Sequence, residues 1–193
     1  MGKVLLISNG HGEDLSASLI GTSLRALGHE VEALPLVGLG TPYKKENIKI
    51  IIKGANFKTG GIGYTSLKGR INEIMEGQIL HLTSRIVKLL IDSKKYDMLI
   101  AVGDIVPVFA CWLTRRPTAT YIVAYSSYYE GKLTLPWPCK GLLRSKQFLE
   151  IFSRDELTAK DLRQQLSRNV RFLGNPFMDS LEEFEDTLST CKF

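Results

Sequence analysis

Short apolar runs alternate with amphipathic stretches along most of the chain. The runs are rich in β-branched residues, as is typical of buried parallel strands, and they lie at 3–8, 30–34, 48–53, 98–102, 118–124, 148–152 and 170–173. Apolar residues at helical spacing between the runs predict helices over 15–27, 70–93, 106–113 and 155–166. We expect Asp14 to cap the first helix and Gly28 to end it.

This alternation of strands and helices predicts the fold. Parallel strands joined by right-handed helical crossovers give an α/β domain with a doubly wound, mostly parallel, Rossmann-like sheet flanked by helices. Ligands bind beyond the carboxyl ends of the strands in such sheets. Candidate binding residues are therefore expected in the loops at 9–14, 54–69, 103–107, 125–146 and 174–176.

The composition narrows the classes of protein further. The 193 residues are 44% hydrophobic and 23% charged, which fits one globular domain and excludes a disordered chain. The net charge of +5 suits an anionic lipid surface or a phosphorylated ligand. Because no nucleic-acid motif accompanies this charge, nucleic acid is not expected as a partner. The three cysteines lack metal-ligand spacing, so we expect reduced thiols and no metal.

The apolar runs also bear on the location of the protein. None approaches the ~20 residues that a membrane-spanning helix requires. Ser8, Asn9 and His11 interrupt the first run too early for a signal peptide. We therefore expect a cytoplasmic protein.

The loop after the first predicted strand, Ser8 to Asp14, is the first candidate site. Its glycines allow the backbone to approach a ligand, and a helix N-terminus attracts anionic groups. The loop is neither a dinucleotide fingerprint nor a phosphate-binding P-loop. His11 stands where ligands bind in such folds; the alternative is a tight structural turn.

A second candidate follows the strand at 98–102. Asp104 lies between Gly103 and Pro107, at the end of an apolar strand. A carboxylate held there could take a proton from a substrate hydroxyl. The same pattern is typical of a helix N-cap, and the sequence leaves both interpretations open.

The segment from Tyr125 to Lys146 combines aromatic and basic residues without a period. Basic side chains among exposed aromatic and apolar ones suit a membrane interface, and the predicted membrane-facing residues are Trp137, Lys140, Leu142, Leu143, Arg144 and Lys146. The alternative is a solvated loop with Trp137 in the core. Ser126 and Ser127 lack the setting of a nucleophile elbow. The Gly-Asn-Pro turn at 174–176 is interpreted as an exit from the domain.

These motifs occur in a recognisable order: a Gly-rich loop, a long amphipathic helix, a Gly-Asp turn and the segment Val170 to Asp179. The order resembles the N-terminal half of glycosyltransferases of the GT-B fold, most closely the proteins related to lipid-A-disaccharide synthase. The sequence departs from that family at two places. It has Gly-His-Gly-Glu at 10–13 instead of Glu-Ala-Ser-Gly, and Asp104-Ile105-Val106 instead of Asp-Phe-Asn.

The resemblance implies a function and a set of site residues. Asp104 would act as base on an acceptor hydroxyl, with His11 assisting or orienting the acceptor. The residues that would bind the acceptor are Asn9, Gly10, Gly12, Glu13, Gly61, Gly63, Ser126, Ser127 and Asn175. Residues 1–178 would form the acceptor-binding domain, and 179–193 an acidic linker towards a nucleotide-sugar-binding domain that this sequence lacks.

The expected partners follow from the same resemblance. They are a nucleotide-sugar donor held by the other domain, a lipid or glycolipid acceptor, and either a second copy of the chain or a separate C-terminal subunit. No cofactor is expected, and peripheral contact with the inner face of a membrane is an alternative to a purely cytoplasmic location. The chain alone would transfer little or no sugar. Two other functions stay open: a non-catalytic partner module and a nucleotide-sugar 2-epimerase-like domain.

Overall fold

The computed structural model describes residues 1–52, 78–131, 133–135 and 138–179. Its centre is a six-stranded sheet in which every strand pairing is parallel. The strand order is β3-β2-β1-β4-β5-β6, the order of a doubly wound sheet. The strands are β1 Lys3–Ser8, β2 Glu30–Pro35, β3 Lys49–Ile50, β4 Met98–Gly103, β5 Thr118–Ile122 and β6 Phe148–Ser153. The predicted fold class is therefore confirmed.

Eight α-helices lie within the described residues. They are α1 His11–Ala26, α2 Thr41–Lys45, α3 Gln78–Asp92, α4 Ile105–Thr114, α5 Ser127–Glu130, α6 Cys139–Leu143, α7 Glu156–Leu166 and α8 Pro176–Asp179. A 3₁₀ turn, Ser93–Lys95, follows α3. The described part contains no helix that is long and apolar enough to cross a membrane.

Two apolar clusters hold the helices to opposite faces of the sheet. Side chains alternate between the faces along each strand, so Leu5 and Ile7 join one cluster while Val4 and Leu6 join the other. The first cluster takes residues from α3, α4, α6 and α7, and the second takes residues from α1 and α2. Each face is therefore covered by its own layer of helices, as the near-continuous apolar strands require.

The first helix begins earlier than predicted. It starts at His11 with Gly10 as N-cap, and no side chain caps it. Asp14 lies inside the helix and is buried, and its Oδ1 accepts from Ser8 Oγ at 2.6 Å. The prediction of Asp14 as the cap is therefore wrong. Gly28 does follow the helix end: its φ is +87° and its N–H donates to Arg25 O.

Three predicted strands are shorter than expected, and one of them, β5, covers Thr118–Ile122 within the predicted 118–124. β3 covers Lys49–Ile50 within the predicted 48–53, and the predicted strand at 170–173 is a single bridge between Phe152 and Arg171. The short helices α2, α5 and α6 occupy segments where the apolar pattern predicts no helix. Several predictions lie outside the described residues: Gly61, Gly63, Trp137, the first part of the helix over 70–93, and the acidic linker from residue 180 onward.

Candidate functional site: a carboxylate pair between two strand ends

The site begins with the register of the two central strands. β1 and β4 lie side by side, and Ser8 stands opposite Val102 in the parallel pairing. Since both strands end at this edge, the residues that follow them are brought together. Asn9 and Glu13 come from the β1 side, and Gly103 and Asp104 come from the β4 side. Residues almost a hundred positions apart in sequence thus form one cluster.

Asn9 joins the two sides. Its Nδ2 group donates to Asp104 Oδ2 at 3.2 Å and to Oδ1 at 3.3 Å, and its backbone N–H donates to Glu13 Oε2 at 3.0 Å. The side chain is only 7% exposed. Within the described residues, its Oδ1 atom accepts no hydrogen bond. A buried amide oxygen without a partner costs free energy, so this atom is suited to receive a hydrogen from a ligand.

Asp104 is both a helix cap and a candidate base. Its Oδ1 accepts from the backbone N–H of Val106 at 2.8 Å, which caps α4. Oδ1 accepts from both Val106 and Asn9, whereas Oδ2 accepts from Asn9 at 3.2 Å, so Oδ2 is the less engaged oxygen. Burial raises the pKa of Asp104, and the hydrogen bonds from Val106 and Asn9 oppose that rise. The two interpretations of the sequence are compatible, because each can use its own carboxylate oxygen.

Glu13 lies against the backbone of Gly103. A Cβ atom added to Gly103 would stand 2.5 Å from both Glu13 Cδ and Glu13 Oε2, so only glycine allows this approach. Gly103 also has a φ of +134°, which L residues rarely adopt. Burial and the negative charge of Asp104 raise the pKa of Glu13 to about 8. At neutral pH the site therefore holds one carboxylic acid, Glu13, beside one carboxylate, Asp104.

A buried polar network supports the β1 end. Ser8 Oγ, which donates to Asp14, also contacts Tyr43 Oη at 2.5 Å. The guanidinium of Arg85 is fully buried; it donates through Nη1 to Pro35 O and is attracted by Asp14. Burial lowers the pKa of Arg85 to about 10, which leaves it charged at neutral pH. The network joins α1, α2 and α3 to the ends of β1 and β2, and so fixes the loop that carries Asn9.

The sequence interpretation missed Arg85, Tyr43 and the role of Gly103. One signal for Arg85 was present: it stands three residues after Leu82 and four before Leu89, on the apolar face of its helix. A cation on a buried helix face needs a partner, which indicates a polar network. Nothing local in the sequence marks Tyr43.

Other predicted acceptor-binding residues serve neighbouring elements. Ser126 Oγ donates to Asp155 Oδ2 at 2.8 Å, and the Ser127 N–H donates to Thr158 Oγ1 at 2.8 Å, so both attach to the start of α7. Asn175 Oδ1 accepts from the Phe177 N–H at 3.1 Å, at the start of α8. His11 is the first residue of α1, and its side chain lies outside the described part of the structure.

The predicted membrane-facing set divides into two groups. Leu142 and Leu143 are 8% and 0% exposed and belong to the apolar cluster under α6, so the prediction that they face a membrane is wrong. Lys140, Arg144 and Lys146 are exposed. Arg144 donates to the carbonyls of Leu166 and Gln165, where it terminates α7. The two lysines are therefore the outward-facing part of this segment.

The face of the sheet that α1 covers contains an apolar cavity of about 340 Å³. It is lined by side chains from α1 and from the middles of β4, β5 and β6, among them Ile20, Leu24, Ile100, Tyr121 and Phe152. Its polar lining atoms have partners: Thr120 Oγ1 donates to Ala101 O, and Ser153 Oγ donates to Asp155 O. The cavity therefore lacks the groups that would position a polar reactant.

The described residues contain no cluster of three metal-ligating side chains. Of the three cysteines, Cys111 and Cys139 are buried and free, and Cys191 lies outside the described residues. Burial raises the pKa of both described thiols, which makes them unreactive at neutral pH.

No protein-family model and no curated protein sequence matches the chain. Its fold matches solved structures of low sequence identity. HepE from Anabaena, in complex with UDP and glucose, has a TM-score of 0.59 at 14% identity, over 91% of this chain and 45% of that chain. MnaA from S. aureus, in a structure with UDP, has a TM-score of 0.56 at 16% identity, over 93% of this chain and 45% of that chain.

A third match is the UDP-GlcNAc 2-epimerase from Neisseria meningitidis, bound to UDP-GlcNAc. Its TM-score is 0.56 at 16% identity, over 92% of this chain and 48% of that chain. The chain thus spans about half the length of these structures. At such identities the likeness shows the fold alone, a Rossmann-like domain of the kind found in GT-B proteins. The closer resemblance to lipid-A-disaccharide synthase stays a prediction.

Proposed function

We propose that this domain binds the acceptor in a sugar transfer from a nucleotide-sugar donor to a hydroxyl of a lipid or lipid-linked sugar. The observation that carries the proposal is the geometry at the end of β4. Asp104 is held there by Val106 and Asn9, and its less engaged oxygen lies close to Asn9 Oδ1, which accepts no hydrogen bond from the part of the chain that the structure describes. This edge of a doubly wound sheet is where such folds bind ligands.

The chemistry needs a placed hydroxyl, a base and stabilisation of the leaving diphosphate. The acceptor hydroxyl gives its proton to Asp104 while its oxygen attacks the anomeric carbon of the donor. The bond from that carbon to the diphosphate oxygen breaks, and the nucleoside diphosphate leaves. The raised pKa of Asp104 makes it a stronger base than an exposed aspartate. His11, at the start of α1, assists or orients the acceptor.

The donor belongs to a second domain in this proposal. The described groups around Asp104 are carboxyl and amide groups, which suit a hydroxyl and repel a diphosphate. Structures of similar fold that contain UDP or UDP-GlcNAc are about twice as long as this chain. The second domain, on the same or another polypeptide, would supply the contacts to the diphosphate. We therefore expect this chain alone to transfer little sugar.

The alternative function, that of a nucleotide-sugar 2-epimerase-like domain, is favoured by a separate observation. Two of the similar folds, MnaA and the Neisseria UDP-GlcNAc 2-epimerase, were solved with UDP or UDP-GlcNAc. In an epimerase-like domain, the nucleotide sugar itself would bind at this sheet edge. Binding of UDP-GlcNAc by the chain alone separates this alternative from acceptor binding.

Calorimetric titration of the full chain with octyl β-D-glucoside, below its micelle concentration, and with UDP-GlcNAc tests the proposal. We expect the glycolipid analogue to bind and UDP-GlcNAc not to bind. Asp104→Asn should weaken glucoside binding by about tenfold or more, since a hydrogen bond to a charged group contributes roughly 1.5–3 kcal/mol.

Asp155→Asn is the matched control. Asp155 caps α7 after β6 as Asp104 caps α4 after β4, and its side chain accepts from the Thr158 N–H at 2.7 Å. Both variants weaken a helix cap, but only Asp104 belongs to the site. Equal loss of binding in the two variants contradicts the proposal, as does binding of UDP-GlcNAc in place of the glucoside.

A further inference from the structure

The site contains more hydrogen-bond acceptors than a single ligand hydroxyl can satisfy. Asp104 Oδ2 and Asn9 Oδ1 are both acceptors, and within the described residues the second of them has no partner. The two oxygens lie close together, because the Nδ2 group of the same Asn9 side chain contacts the Asp104 carboxylate. A hydroxyl carries one hydrogen, so it can satisfy only one of these two oxygens.

Glu13 adds a hydrogen-bond donor beside these two acceptors. Its carboxyl group packs against the backbone of Gly103 and accepts from the Asn9 N–H at 3.0 Å. The like charge of Asp104 disfavours a second negative charge beside it. A neutral Glu13 has one hydrogen to donate. The carboxylic acid and the carboxylate therefore have different partners in a ligand, as in other sites where two carboxyl groups differ in protonation.

The charged and titratable groups packed around Glu13 come from several elements. The groups that act on it or on Asp104 are Asp104 itself, Asp14 on α1, Tyr43 on α2 and Cys139 on α6, while Arg85 on α3 faces Asp14. Asp14 acts in the same direction as Asp104 and favours the neutral acid, whereas Arg85 offsets the charge of Asp14. The neighbourhood therefore favours one negative charge on the pair.

The loop leaves space for a ligand over these groups. A Cβ atom added to Gly10 or to Gly12 would meet no atom within 4 Å. The two residues flank the start of α1, next to Asn9 and Glu13. A ring-sized ligand can approach the backbone there without displacing a described side chain.

We propose that Glu13 and Asp104 bind one acceptor as a carboxylic acid and a carboxylate, and that together with Asn9 they select an acceptor with two adjacent hydroxyl groups. One hydroxyl donates to Asp104 and is the reacting group. The neighbouring hydroxyl donates to Asn9 Oδ1, and Glu13 donates to one of the two hydroxyl oxygens. The inference rests on the proposed function and specifies its acceptor as a sugar ring.

An isolated alcohol fits this site poorly. With a lone hydroxyl on Asp104, Asn9 Oδ1 would stay buried without a hydrogen bond, at a cost of roughly 1–3 kcal/mol. Sites built to hydrogen-bond a substrate group discriminate strongly against analogues that lack it. A polyprenol or a diacylglycerol is therefore the wrong class of acceptor, and a glycolipid with vicinal hydroxyls is the right one.

The test compares two surfactants that share an octyl chain. Octyl β-D-glucoside has vicinal hydroxyls, whereas pentaethylene glycol monooctyl ether has one isolated hydroxyl. Calorimetric titration of the full chain at pH 7, below both micelle concentrations, should give at least about tenfold tighter binding of the glucoside. Equal binding of the two overturns the inference.

A pH series tests the role of Glu13. Glucoside affinity should fall about tenfold between pH 7 and pH 9, because a group with a pKa of about 8 loses most of its hydrogen over that range. Glu13→Gln should abolish this fall in affinity, since an amide carries hydrogens at every pH. Glu156→Gln, a change of the same kind in the first turn of α7, should keep the wild-type pH dependence.

The outcomes separate this inference from the function on which it rests. If Asp104→Asn abolishes glucoside binding but affinity does not change between pH 7 and pH 9, the acceptor site stands and the acid–carboxylate pair is wrong. Loss of binding at pH 7 in Glu13→Gln also refutes the pair, because an ionised Glu13 would then be required. If the glucoside does not bind at any pH, both proposals fail.

Discussion

Substitution of Gly103 tests the contact on which the site is built. In Gly103→Ala, the new methyl group would lie 2.5 Å from Glu13 Cδ and Oε2, so the Glu13 side chain must move. A φ of +134° costs an L residue roughly 1–3 kcal/mol. Displacement of Glu13 also breaks its hydrogen bond with the Asn9 N–H, which contributes about 1 kcal/mol. We expect the free energy of unfolding to fall by about 2–4 kcal/mol.

Urea denaturation followed by far-UV circular dichroism measures this change. Gly141→Ala is the control: Gly141 lies in α6, and a Cβ there meets nothing within 4 Å, so this variant should be neutral or slightly more stable. Repeating Gly103→Ala in a Glu13→Ala background should reduce its cost by about 1 kcal/mol, because only the backbone strain remains. A loss below about 0.5 kcal/mol in Gly103→Ala, or an unchanged cost in the double variant, would refute the reasoning.

The remaining predictions concern pH and membranes. The folded protein keeps a proton on Glu13 that the unfolded chain loses near pH 4.5, so its contribution to stability is present below that pH and is lost as the pH rises through about 8. Urea titrations should show wild-type stability falling, relative to Glu13→Gln, by on the order of 3 kcal/mol between pH 5 and pH 8; parallel curves would contradict the protonation. If the acceptor is lipid-linked, the chain should sediment with anionic but not neutral liposomes at low salt, since exposed lysines attract anionic headgroups. The double variant Lys140→Glu with Lys146→Glu should abolish sedimentation with anionic liposomes, whereas Lys44→Glu with Lys45→Glu, on α2, should not. An equal effect of the two double variants would exclude the α6 surface as the contact.

The sheet could be predicted because its information is local. Strands buried on both faces appear as continuous apolar runs, and β1 and β4 are found within a residue of the expected limits. Asp104 could be predicted for the same reason, since the end of an apolar strand and the start of a helix meet within a few residues. The contact of Asp104 with Asn9 needs the strand order in addition, which the runs alone do not specify.

The errors have a common physical cause, which is competition from distant partners. Asp14 has the right position for an N-cap, but Ser8 and Arg85 offer it a buried partner and an opposite charge. Leu142 and Leu143 stand in a segment without a period, so nothing local shows that α6 lies on the apolar cluster. Long-range contacts of this kind override local propensity.

The strand order divides the chain into two halves that meet at one seam. β1, β2 and β3 form one side of the sheet and β4, β5 and β6 the other, and among the described strands the β1–β4 pairing alone joins the two sides. Asn9 and Glu13 belong to the first half, and Gly103 and Asp104 to the second. Two polypeptides divided between Ile52 and Gln78 would each carry three consecutive strands of the described sheet, and neither would contain both members of the carboxylate pair. Reassociation of such fragments would rebuild the site together with the seam, so the chemistry of the site would report directly on fragment complementation.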